Sequence, residues 1–173
     1  MMMALATTGG DRIDFLGTQF GYHSHTSLGR GNYRVVVDVT GREFDDLEGG
    51  PRHRHAALLV SLDQEFGKYL GGFLRLGRQN EALVLGYRSL YSAGVDIRGG
   101  AWGRPGDNIG VGFSYLGKGS GTVKRTRVGE VYYRFVVNPY FAVTADIQYM
   151  SDDNTSGQGP SGMIYGLRMT ATF

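Results

Sequence analysis

The chain contains no cysteine, only four prolines and four histidines in 173 residues, and no uninterrupted apolar run of about 18 residues. Without cysteine there is no disulfide, no thiolate metal site and no cysteine nucleophile. A cysteine-free chain also crosses an oxidising periplasm without mispairing. The missing apolar run excludes a transmembrane helix. It does not exclude transmembrane strands, which need only about 9–11 residues and alternate where a helix would show a block. Net charge is also scarce: 18 basic and 16 acidic residues leave +2, interspersed along the chain, so no general affinity for nucleic acid is indicated.

What the chain does have is glycine and aromatics, with 29 Gly, 11 Tyr and 9 Phe. With a mildly negative mean hydropathy, this composition suits antiparallel β-structure in which half of each strand is polar. The last eleven residues show it most clearly. Met163, Tyr165, Leu167, Met169, Ala171 and Phe173 share one face of an extended strand, and Ile164, Gly166, Arg168, Thr170 and Thr172 share the other. As a water-facing edge such a strand would invite aggregation. As the closing strand of a barrel in lipid it makes sense.

The same period of two divides the rest into about eight further strands, at 14–23, 32–42, 55–66, 69–79, 85–98, 108–116, 127–137 and 141–149, separated by Gly, Asn, Asp and Pro clusters. Asn138-Pro139 and Gly67-Lys68 read as tight turns. The segments 43–54, 99–107, 117–126 and 151–162 read as long polar loops. Short turns on one rim and long loops on the other match bacterial outer-membrane barrels. Residues 1–10 lack the basic region of a secretory signal. They are expected to be disordered or non-native, the chain being mature, trimmed or the later part of a longer protein, with one β-barrel domain over 11–173.

Each strand meets two environments. Arg34, Asp38, Arg42, Asp63, Glu65, Arg75, Asp96, Arg98, Glu130, Arg134, Asp146 and Arg168 all lie opposite an apolar row. An arginine facing the lipid midplane costs roughly 2–4 kcal/mol, so in a membrane these side chains face water. The apolar rows then face either lipid or, in a soluble barrel, a protein core, and alternation alone does not choose. Tyrosine and phenylalanine near the strand ends, including Tyr33, Tyr69, Tyr91, Tyr115, Phe141, Tyr149 and Tyr165, favour lipid, because interfacial girdles place aromatics there.

Catalysis has no positive support. His23 with His25, and His53 with His55, form two His-x-His pairs without further ligands nearby, so solvated loop histidines are expected and no metal. Asp14, Asp38, Asp63 and Asp146 lie on different strands, and Gly117-Lys118-Gly119-Ser120-Gly121 lacks the spacing of a phosphate loop. The arginines are the chemically suggestive group. Their planar donor forks, interleaved with acids, Tyr132 and Gln148, either exchange hydrogen bonds with a hydrated polyol or neutralise the acids and hold the wall in shape.

Several stretches resemble the carbohydrate-selective porins of the OprB type. They are 91–96 through 103–113, Glu130-Val131-Tyr132-Tyr133-Arg134, Asn138-Pro139-Tyr140-Phe141, Asp146-Ile147-Gln148-Tyr149 and the ending from Gly166 to Phe173. Weaker echoes reach back to about residue 28. The resemblance implies a sixteen-stranded outer-membrane barrel that admits glucose and other small sugars by passive diffusion. This chain departs from the pattern in having about nine strands, so that it corresponds to the C-terminal half. It also has Thr144-Ala145 where the penultimate strand usually carries a proline.

The expectation is therefore an all-β, antiparallel transmembrane β-barrel of about eight to nine strands, forming part of a larger barrel. It is no enzyme and uses no cofactor. It belongs in the outer membrane of a Gram-negative bacterium, and its partners are small sugars, lipid and possible further copies of itself. The pore-lining candidates are Arg34, Asp38, Asp63, Glu65, Arg75, Asp96, Arg98, Glu130, Arg134, Asp146, Gln148 and Arg168. The alternatives are a small closed eight-stranded barrel with a structural or adhesive role and a soluble lipocalin-like binder.

Overall fold

The computed structural model describes residues 2–9, 12–44, 53–80, 86–119 and 122–172. The side chains of Asp14, Arg42 and His53, most of the segment 43–54, the start of the expected strand at Leu85, the centre of the glycine-rich stretch 117–121 and the terminal Phe173 lie outside the described residues. Ten strands form one sheet: β1 (Met2–Gly9), β2 (Arg12–Thr26), β3 (Gly29–Phe44), β4 (His53–Phe66), β5 (Leu70–Gln79), β6 (Tyr87–Arg98), β7 (Asn108–Gly119), β8 (Val123–Asn138), β9 (Phe141–Asn154) and β10 (Gly157–Ala171). Each pairs antiparallel with the next in sequence. β1 and β10 are the two edges, and among the described residues the sheet does not close on itself.

The nine strands expected from alternation are β2 to β10. The tenth, β1, lies in the segment 1–10 expected to be disordered or non-native: Met2 to Gly9 pair with β2 from Phe20 back to Arg12. Its run of small and apolar residues carries no alternating charge, so period two left no trace there.

Two of the four expected long loops are also corrected. Most of 117–126 and of 151–162 is strand, because β7 and β8 extend to Gly119 and from Val123, and β9 and β10 meet at Thr155 and Ser156. Charged residues in these stretches pair across the ladder rather than leaving it: Asp153 of β9 accepts from both Arg125 and Arg127 of β8, the latter at 2.9 Å. Strands of 14 to 16 residues such as β3, β4, β8 and β9 exceed the roughly 9–11 residues a bilayer requires, so polar ladder continues past the apolar belt. A third loop, 99–107, follows β6 and therefore lies on the same rim as the tight turns after β2, β4 and β8. The rims are less cleanly divided into short and long than the sequence indicates. At the turn after β4, Gly67 takes φ +68°, and its amide donates to the Leu28 carbonyl in the turn after β2 at 2.6 Å. A side chain at position 67 would strain this conformation.

Exposure is inverted relative to a water-soluble domain. Ala142 is the only buried hydrophobic residue among those described, whereas His55, Ser61, Gln79, Asp107 and Thr126 are buried polar residues. Along β3, Val35, Val37 and Val39 are each about two-fifths exposed, and the intervening Arg34, Val36 and Asp38 are more covered. The same inversion holds for Tyr91, Val95 and Ile97 against Asp96 and Arg98 on β6. Burial of apolar area drives folding in water at about 25 cal/mol per Å², and this sheet forgoes it on every well-described strand. The polar face, by contrast, borders a hollow of about 400 Å³ lined by residues from β2 to β6.

Candidate functional site

The strand registers place the twelve expected residues on one face and stack them in rows. Ser61 stands opposite both Arg34 and Arg75, and Arg75 opposite Ser92. The next row runs Asn32, Asp63, Phe73, Gly94, Gly112, Glu130 and Gln148. A third runs Glu65, Gly71, Asp96, Gly110, Tyr132, Asp146 and Gly166. Alternation fixed the face; the register decides which side chains meet.

From β3 to β6 they meet as clamps, each with one carboxylate between two arginines. Asp63 accepts from Arg34 at 2.8 Å and from Arg75 at 2.6 Å, its two oxygens serving one arginine each. Glu65 accepts from Arg30 at 2.9 Å and from Arg98 at 2.5 Å. Arg98 is on β6 and Glu65 on β4, so the guanidinium reaches across β5. Arg30 is absent from the twelve because the alternating segment was read from residue 32; its place in the clamp follows from the longer β3. The side chains of Arg34 and Asp63 are each about one-third exposed. At that exposure an ion pair contributes on the order of 0.2–1 kcal/mol, so the clamps fix shape more than they add stability.

A second crossing joins the two sections of the sheet. The Tyr132 hydroxyl of β8 donates to Asp96 of β6 at 3.0 Å, and Asn108 donates to Tyr132 at 3.1 Å. The Tyr132 ring passes over Gly110 of β7, where an added Cβ would stand 2.1 Å from ring Cε1. Glycine is required here by close approach. Beyond β7 the face is sparser. Gln148 reaches Asp146 at a long 3.4 Å, and Arg134 donates to the Gly106 carbonyl at 3.3 Å. Among the described residues, Asp38, Glu130 and Arg168 have neither an ion pair nor a side-chain hydrogen bond.

One polar centre escaped the sequence reading. Asp107, whose side chain is 1% exposed, accepts from Arg104, from the Tyr133 hydroxyl at 2.6 Å and from the Val136 amide at 2.8 Å. The Arg104 hydrogen bond, helped by those of Tyr133 and Val136 and opposed by burial, holds this carboxyl well below the usual carboxylate range. Arg104 also lies over the Phe135 ring at 4.3 Å. The segment 99–107 is thereby latched to the apolar side of β8. The three-residue spacing of Arg104 and Asp107 around Pro105-Gly106 was the available signal.

Among the described residues there is no group of three or more side chains that could hold a metal ion. His23 and His25 border the hollow, and His55 is buried on β4.

No curated protein and no solved structure matches the chain. Residues 9–173 match the family described as carbohydrate-selective porin, OprB family. This match fits an all-β antiparallel sheet with an exposed apolar face and a charged opposite face, and the chain belongs to that family, whose members are channels of the Gram-negative outer membrane.

Proposed function

We propose that this chain forms the wall of an outer-membrane channel through which small uncharged sugars diffuse passively. The apolar rows face lipid and the charged rows face water. The observation that carries this is the inverted exposure of β3 and β6, with valines, tyrosine and isoleucine outward and arginines with acids on the hollow side. Turning the sheet over would place arginines in hydrocarbon at roughly 2–4 kcal/mol each near the midplane.

Charge balance supports a neutral solute. Arg30, Arg34, Arg75, Arg98, Arg134 and Arg168 share the face with Asp38, Asp63, Glu65, Asp96, Glu130 and Asp146. Opposite charges stand at close range in the two clamps, and the equal numbers of both signs along the face leave little long-range preference for either ion. What remains is a dense array of hydrogen-bonding groups able to replace part of a sugar's water shell. The open edges of β1 and β10 have unpaired backbone groups that lipid does not tolerate. In the membrane those edges are therefore paired, and the wall functions as part of a closed barrel.

The test is single-channel recording after reconstitution, together with swelling of liposomes in glucose or maltose. The expected result is conductance with weak ion selectivity and sugar-driven swelling. A monodisperse protein without detergent, or a membrane-inserted one that passes neither ions nor sugar, would overturn the proposal in favour of the soluble or the small closed barrel.

A further inference from the structure

Among the residues that line the hollow, one carries a phenyl ring. Phe73 of β5 points to the same side as Asp63, Arg75 and Asp96. The aromatic side chains elsewhere on this part of the sheet, such as Tyr91, Tyr115 and Phe113, stand on the apolar side, where lipid accounts for them. Phe73 is half-buried and lines the hollow of about 400 Å³, a volume within the roughly 300–1,000 Å³ of small-ligand clefts.

The sequence makes room for this ring. A Cβ on Gly94 of β6 would stand 2.4 Å from Phe73 Cε1, and one on Gly112 of β7 would stand 3.7 Å from Cζ. The ring therefore lies across two neighbouring strands that lack side chains at that point. The Arg75 guanidinium sits 5.0 Å from the ring centroid and is itself tied to Asp63, so the ring is held from its own strand as well. Around it the hollow presents Asp63, Glu65, Asp96, Arg30 and Asn32.

We propose that Phe73 is the platform of a binding subsite for a pyranose ring. A pyranose has C–H bonds on its faces and hydroxyls around its rim. The negative face of an aromatic ring attracts the former, and the surrounding carboxylates, guanidinium and amide hydrogen-bond the latter. This inference rests on the sugar-channel reading and adds a place where the solute pauses.

The test is the interruption of ion current by added glucose or maltose, in the unaltered protein and in Phe73→Leu, Phe73→Ala and Phe73→Trp. Leucine keeps apolar bulk over Gly94 and Gly112 without a π face, which separates stacking from loss of packing. The expected result is that the sugar concentration for half-maximal block rises about five- to tenfold in the leucine and alanine variants, falls or holds in the tryptophan variant, and that sugar-free conductance stays within about twofold in the leucine variant. Block that persists unchanged in Phe73→Leu and Phe73→Ala overturns the subsite and leaves the channel intact. Conductance without any sugar block or sugar passage in the unaltered protein overturns the sugar reading and the subsite with it.

Discussion

The sections β3–β6 and β7–β10 of one continuous sheet carry their charges differently. In the first, two arginine–carboxylate–arginine clamps, at Asp63 and Glu65, tie β3, β4, β5 and β6 together. In the second, the comparable cluster, Asp153 with Arg125 and Arg127, joins only β8 to β9 and lies on the side of Val131; on the charged face Glu130 and Arg168 stand without such partners among the described residues, and Tyr132 reaches back to Asp96 in the first section. The same residue types serve two ends. Clamped charges satisfy one another across strands, whereas unclamped ones keep their hydrogen-bonding capacity.

The largest expected effect comes from breaking the joint between the sections. In Gly110→Val the new side chain collides with the Tyr132 ring, whereas Gly129→Val on β8 meets open space. Overpacking of this kind costs about 1–3 kcal/mol. Urea unfolding of the detergent-folded protein is expected to show that loss for position 110 and a change within about 0.5 kcal/mol for position 129. Equal effects would mean that the two sections are not joined through Tyr132.

Smaller, but more direct, is the contrast between a clamped and an unclamped acid. Asp63→Ala leaves Arg34 and Arg75 both without their carboxylate and is expected to cost about 1–2 kcal/mol by the same unfolding measurement. Glu130→Ala is expected to be within about 0.5 kcal/mol while shifting cation-over-anion permeability measured by reversal potential.

The smallest effect is confined to the rim. Because the folded pKa of Asp107 is depressed, its ionised form stabilises the latch fully above the ordinary aspartate value of about 3.9. That contribution is lost as pH falls from there through the lower folded value. Trp102, the single tryptophan, stands 6.4 Å from Tyr133 and reports the latch. Its fluorescence is expected to hold steady down to about pH 4 and shift below it. In Asp107→Asn the shifted signal is expected already at neutral pH, with no further acid transition. A wild-type transition near pH 6–7 would point to another group.

How much of this was legible depended on the range of the interaction. Alternation of Val35, Val37 and Val39 with Arg34, Val36 and Asp38 revealed β3 without any partner strand, and likewise for eight others. It missed β1, where Met2 to Gly9 carry no polar alternation, and it read the stretches that hold Arg125 and Asp153 as loops because polarity was taken for disorder of the ladder. The candidate site was legible as a set and illegible as a circuit. Nothing near Arg98 indicates that its partner lies thirty-three residues earlier, across the intervening strand β5. Alternation with Arg75 puts Phe73 on the polar face, but the significance of Gly94 and Gly112 beneath it depends on the register of β5, β6 and β7.

The sequence by itself determined that the chain is built of strands and which side chains share a face, because successive residues of an extended peptide point to opposite sides whatever they pair with. Only the tertiary structure decided which face borders the hollow, which acid sits between which arginines and where a ring lies over glycine. Those depend on register and curvature, and both are set by pairings between residues distant in the chain.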